Sequence, residues 1–149
     1  MRQDLSIRLV ENDDDLLAIA LLKQADDSEF TGTQISEEAA LEKIIRIKDD
    51  GSDFWIEVYE QKPVGYAIGI VRGESYRSNG IYVAPNYRLR GIGSALKQAQ
   101  IEFGRNLGCD KIWSNVADAN KASIRLQERM GFKLTQIGAG YFVNLSLRD

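Results

Sequence analysis

A chain of 149 residues fits a single domain spanning residues 1–149 and leaves little room for a second. Its 44% hydrophobic and 28% charged residues give an ordinary globular balance, and a net charge of −3 lacks the basic footprint that nucleic acid demands. The absence of histidine and the single cysteine, Cys109, exclude histidine triads, histidine bases, cysteine or histidine metal sites and an internal disulfide.

The first ten residues carry no apolar leader, and no apolar run is long enough to span a bilayer. The expectation is a cytoplasmic protein without a membrane partner. Residues 5–10 read as a strand, with Leu5, Ile7 and Leu9 alternating. Asn12 to Asp15 supply caps and negative charge for a helix carrying Leu16, Leu17, Ile19, Ala20 and Leu21. Residues 26–34 read as a polar, acidic loop. Ser36 caps a second helix, with Glu37 and Glu38 in its first turn, which ends near Gly51. Residues 54–60 and 64–71 form two strands about a short turn, and residues 79–84 a third. After a glycine-containing loop comes a helix whose apolar face is Ile92, Ala95, Leu96, Ala99 and Phe103, stopped at Gly108. A strand at 111–116, a helix at 121–130 closed by Gly131, and strands at 132–136 and 141–147 complete the chain. This order gives an α/β fold: a mostly antiparallel central sheet flanked by helices on both faces.

Two segments carry chemistry. In the first, Gly91 and Gly93 sit where a strand has ended and a helix begins, so backbone N–H groups can approach a ligand closely. Free N–H donors and partial positive charge in the first helical turn make a cradle for a pyrophosphate, with Arg88 and Arg90 nearby. A plain glycine-rich turn with surface arginines fits the same residues. Leu96 stands where a dinucleotide fingerprint wants a small residue, and no Gly-Lys-Ser/Thr triplet exists for a P-loop. In the second segment, plotting residues 121–130 at about 100° per residue puts Asn120, Ser123 and Gln127 in the middle of the apolar arc. Inward neutral polar groups either bond within the fold or line a ligand cleft.

With these two segments in order, the sequence resembles the GNAT superfamily of N-acetyltransferases. Ile81-Tyr82-Val83-Ala84-Pro85-Asn86-Tyr87-Arg88-Leu89-Arg90-Gly91-Ile92-Gly93-Ser94 is similar to its acetyl-CoA motif, Arg/Gln-x-x-Gly-x-Gly/Ala. Asn120, opening a helix that ends in Gly131-Phe132, resembles its second motif. The resemblance implies that acetyl-CoA lies in a splay between the strands at 81–83 and 111–116. Ile81, Tyr82 and Val83 would flank the pantetheine arm, the first and last through backbone groups. Arg88, Leu89, Arg90, Gly91, Ile92, Gly93 and Ser94 would hold the pyrophosphate, and Asn120 and Ser123 would reach the arm. An amine would attack the thioester directly, with no acyl-enzyme.

The family usually places a tyrosine four residues before the glycine of its Gly-Phe pair, as proton donor to the departing thiolate. Here Gln127 stands there and cannot deliver a proton. General-acid help is worth roughly 10²–10⁴-fold. Tyr141 or Tyr82 could substitute from a neighbouring strand. Positions where family members carry a basic glutamate hold Arg77 and Asn79, leaving Glu74 as the nearest carboxylate. The acidic segment with Asp26, Asp27, Glu29 and Phe30 corresponds to the family's acceptor wall and would attract a cationic amine of a small molecule or peptide. A solvated acidic loop is the simpler single explanation of the same residues. A homodimer is compatible with the family. An acyl-CoA-binding sensor with little turnover is the rival reading, resting on Gln127.

Overall fold

The computed structural model describes residues 5–148; the sequence reading of the segment before Leu5, and of the Leu5 side chain, lies outside them. In chain order the elements are β1 (Leu5–Leu9), α1 (Asp13–Thr31), α2 (Glu37–Asp49), β2 (Asp53–Tyr59), β3 (Lys62–Arg72), β4 (Ser75–Val83), α3 (Ile92–Asn106), β5 (Lys111–Ala117), α4 (Lys121–Arg129), β6 (Lys133–Ile137) and β7 (Gly140–Ser146). A single 3-10 turn, Pro85–Tyr87, leads from β4 towards α3.

The seven strands form one sheet in the order β1-β2-β3-β4-β5-β7-β6. Every neighbouring pair is antiparallel except β4 and β5. A parallel pair needs a long crossover, and α3 supplies it. Helices cover both faces, as expected from sequence. On one face α1 and α2 bury Leu16, Ile19, Ala40 and Ile44 against Phe54, Ile56, Tyr66, Ile68 and Tyr82. On the other, α3 sets Ile92 and Leu96 on Val64 and Ala67, and Ile101 packs with Tyr76, Ile112, Phe132 and Val143. Ile124 and Met130 bring α4 onto that second face.

Local chemistry accounts for most boundaries. Asn12 caps α1 by accepting from the Asp15 N–H at 2.9 Å, and Ser36 caps α2 by accepting from Ala39 at 3.1 Å. Two expectations need correction. Residues 26–31 are not a loop: α1 runs on to Thr31 and stops only at Gly32, in the left-handed conformation. Asp26, Asp27, Glu29 and Phe30 therefore lie on the last turns of a helix. The strand expected at 79–84 is β4, which begins at Ser75 rather than Asn79. A bulge hides this from the sequence: Gly69 pairs with Ser78 and Ile68 with Gly80, so Asn79 is an extra residue and the alternation of side chains slips there. Among the described residues no helix is long and apolar enough to cross a membrane.

Candidate functional site: a parting of two strands beside a glycine turn

β4 and β5 pair only where Ser75, Tyr76 and Arg77 face Lys111, Ile112 and Trp113. Beyond Arg77 and Trp113 they diverge, β4 continuing along β3 to Val83 and β5 along β7 to Ala117. The sheet therefore opens as a wedge between two central strands. Its apex lies at Ser78 and Ser114, and its wide end faces the turn into α3.

That turn is built for backbone donors. Leu89 and Gly91 both have positive φ, 63° and 80°. For leucine this costs about 1–2 kcal/mol, and the Leu89 side chain is fully exposed, so no burial offsets the strain. Alternating left-handed residues turn successive N–H groups into one concavity. Gly91 is the N-cap of α3 and offers no side-chain cap, and no acidic residue stands in the first turn. The first N–H groups of α3 thus have no partner within the helix.

Gly91 is required by its conformation, but Gly93 is not. Its φ is ordinary helical, and an added Cβ would meet Leu126 and Val83 only at 3.8 and 3.9 Å, an ordinary contact. Glycine there costs about 1 kcal/mol of helix stability relative to alanine. The chain's own packing gives no reason for it. A ligand lying against the first turn of α3 would favour a small residue there, glycine or alanine.

The remaining residues singled out from sequence fall into three groups. Ile81 and Val83 lie on β4 along the wedge, on the face packed by α3. Ile92 is buried against the sheet, Ser94 is half-buried in the first turn, and Arg90 is exposed with its guanidinium over the Tyr87 ring at 5.4 Å. Asn120 caps α4 by accepting from Ser123 N–H at 3.2 Å; it is exposed rather than inward, and its amide NH₂ stays free. Gln127 is buried, 4% exposed, and its Oε1 has no hydrogen-bond partner.

A second group is spent on holding α1 to the sheet. Arg88 donates from both terminal nitrogens to Glu29 at 2.6 and 2.7 Å and from Nε to the Val83 carbonyl at 2.8 Å. Its guanidinium also lies 5.5 Å from the Phe30 and Tyr82 rings. The Arg88 hydrogen bonds hold the Glu29 carboxyl below its usual range. Asp27 pairs with Lys23 at 3.0 Å and Lys43 at 3.8 Å. Asp26 accepts from the Tyr66 hydroxyl at 2.6 Å, and burial raises its pKa. The acidic residues are struts with partners, not a free anionic wall. Tyr82 belongs to the same cluster: its ring is buried on the α1 face and its hydroxyl donates to Glu29. Burial and then the Glu29 charge raise its pKa, making it a poorer acid.

The third group lies away from the apex. Glu74 is exposed in the turn before β4, and its carbonyl accepts from Asp110 N–H. Four residues separate it from Ser78, about 13 Å along a strand. Tyr141 sits on β7, opposite Val116, so β5 stands between it and the wedge. It lines a surface groove of about 320 Å³ with Asn115, Val116, Ala117, Ile137 and Gly140.

One cluster at the apex escaped the sequence reading. Lys97 of α3 is 1% exposed, and its Nζ donates to Ser78 Oγ at 3.0 Å. Ser78 donates to Gln100 Oε1 at 2.8 Å, and Gln100 Nε2 donates to the Ile68 carbonyl at 3.1 Å. Lys97 Nζ lies 5.3 Å from the centre of the Phe132 ring. Burial alone takes its pKa from 10.5 down to about 7. The signal was present: Leu96, Lys97, Gln100, Ile101 and Gly104 recur as one helical face, with two polar residues inside it.

The fold and this wedge define the class. Residues 19–132 match the model of the acetyltransferase (GNAT) family, and the chain belongs to that family. It is 29% identical over 102 residues to an uncharacterized N-acetyltransferase of Methanocaldococcus jannaschii, a match covering 64% of this chain and 45% of that protein. It is 33% identical over 57 residues to an aminoglycoside N(6')-acetyltransferase type 1 of Salmonella typhimurium, covering 38% of this chain and 39% of that one. The matches thus span less than half the length of these curated relatives. A Salmonella typhimurium protein solved with its cofactor acetyl-CoA superposes with a TM-score of 0.79 at 19% identity, over 97% of this chain and 95% of the other.

Proposed function

We propose that this chain transfers an acetyl group from acetyl-CoA to an amine of a small molecule or peptide. The observation that carries the reading is the wedge between β4 and β5 opening onto a glycine turn whose Gly93 the chain's own packing does not need. The residues present fit the co-substrate. The N–H groups of residues 89–94 suit its pyrophosphate, with Arg90 free to add charge. Backbone groups of Ile81 and Val83 suit the amides of its arm, and the free amide of Asn120 and the hydroxyl of Ser123 lie across the wedge at the start of α4. Arg88 acts indirectly, by fixing the loop through Glu29 and Val83.

In the reaction the uncharged acceptor amine attacks the thioester carbonyl. The new C–N bond forms, the C–S bond breaks, the nitrogen gives up one proton to solvent, and sulfur takes up one proton so that CoA would leave as a thiol. The chain offers no histidine, and Cys109 is buried in the core, so direct transfer is favoured over an acyl-enzyme. No carboxylate stands free at the apex among the described residues. A lysine-like acceptor of pKa about 10.4 loses about 4–5 kcal/mol to deprotonation at pH 7, whereas an α-amine near pKa 8 loses about 1 kcal/mol. An acceptor with a low amine pKa suits this site better.

The rival reading, a cofactor sensor, is favoured by Gln127 at the tyrosine position. Following thiol release from acetyl-CoA with a panel of amines separates the two. Amine-dependent release supports the enzyme; binding of acetyl-CoA with no release from any amine supports the sensor.

A further inference from the structure

We propose that Lys97 is the proton donor to the departing thiolate, acting at the apex of the wedge in place of the missing tyrosine. The inference rests on the acetyltransferase reading above. Two side chains meet this amine, Ser78 of β4 and Phe132 just after α4. Ser78, its hydrogen-bond partner, is the first residue of β4 beyond the last β4–β5 pair. Ser114, the first residue of β5 beyond that pair, is buried with a hydroxyl that has no partner. Phe132 presents its ring to the amine, and its N–H is bonded to the Gln127 carbonyl, tying it to the end of α4. Gln127 itself buries an Oε1 without a partner. Buried polar atoms are rarely left unbonded, and those of Ser114 on β5 and Gln127 on α4 mark places where a polar group binds. With the pyrophosphate at the wide end and the arm along β4, the thioester end of acetyl-CoA would reach towards this apex.

The surroundings make the amine a usable acid. Among the described residues no carboxylate bonds to Lys97. The titratable groups on the same sheet face include Tyr76 of β4, whose hydroxyl is bonded to Asp53 of β2; Glu57 and Tyr59 of β2; Tyr87 before α3; Cys109 before β5; and Tyr141 of β7. None contributes to the Lys97 shift, which burial alone causes. An ammonium poised near pH 7 gives its proton downhill to a thiolate whose thiol has pKa about 8.5. The step balances: the C–S bond breaks with its electron pair on sulfur, the Lys97 ammonium passes one proton to that sulfur, and the neutral amine regains a proton from solvent between turnovers.

The test uses the full chain and one productive amine. Turnover of wild type, Lys97→Met and Lys97→Arg is followed from about pH 6 to about pH 9.5. Both variants are expected to lose roughly 10²-fold or more in kcat with little change in the KM for acetyl-CoA, and to lose the alkaline limb of the wild-type profile. On wild type alone, NMR of isotope-labelled lysine should show one side chain titrating near neutrality and shifting when CoA binds. Wild-type turnover matched in rate and pH profile by Lys97→Met, or a near-neutral lysine indifferent to CoA, overturns the proposal and leaves the acetyltransferase standing. A wild type with no acetyl-CoA-dependent turnover overturns both.

Discussion

Replacing Lys97 with methionine should stabilise the protein at neutral pH, by an amount the structure sets. The folded state holds this amine at about 7 instead of 10.5. The sign follows from proton counting. Between those two values the unfolded chain binds a proton that the folded chain does not, so stability rises with pH across that window. Below pH 7 both states are protonated and the folded state bears the full penalty of a buried charge, about 5 kcal/mol at about 1.36 kcal/mol per pH unit. At pH 7 about 4 kcal/mol of this remains, and by pH 10.5 almost none. Methionine fills a similar volume without a charge, and Ser78 keeps its bond to Gln100. The variant is therefore expected to gain roughly 2–4 kcal/mol at pH 7, with the gain shrinking to nothing near pH 10.5. Urea unfolding of both proteins at a series of pH values measures it, since groups common to both cancel in the difference. A variant that is less stable at pH 7, or a gap that does not change with pH, would refute the reasoning.

Gly93→Val should leave the fold intact, since an added Cβ there meets only ordinary contacts, while weakening acetyl-CoA binding about 10-fold or more. Thermal melts and calorimetry on one preparation check both halves. Glu29→Gln should change stability by no more than about 1 kcal/mol, because the Arg88 pair is about one-third exposed, yet raise the KM for acetyl-CoA by freeing the turn that Arg88 holds. Gln127→Tyr introduced into Lys97→Met should restore part of the lost kcat by supplying a second acid at the apex. Steady-state kinetics of the single and double variants would show whether the two positions serve one proton.

The glycine turn was legible because its chemistry is local: Gly91 and Gly93 announce a loop-to-helix junction within a few residues. So were the caps at Asn12 and Ser36. The end of α1 was not, because what keeps residues 26–31 helical is distant. Tyr66 lies 40 positions from Asp26 and Arg88 lies 59 from Glu29, so an acidic run that reads as a solvated loop becomes a paired helical end. The start of β4 was masked by the bulge at Asn79, which breaks the alternation that strand recognition depends on. Asn120, Ser123 and Gln127 shared one helical arc in sequence, but only Gln127 is buried. The other two sit at the helix start, where an asparagine side chain satisfies the backbone instead. Lys97 was passed over because an isolated lysine in an amphipathic helix reads as surface, and only the packed sheet shows it enclosed.

The most direct test of the account is a calorimetric titration of acetyl-CoA into the wild-type chain and into Gly91→Val. A Cβ-branched residue cannot adopt the φ of 80° found at Gly91 without strain, so the turn must distort. The account predicts one acetyl-CoA bound per chain in the micromolar range and at least about 10-fold weaker binding by the variant. No binding to the wild type, or equal binding by both, would contradict the assignment of the wedge and glycine turn as the acetyl-CoA site.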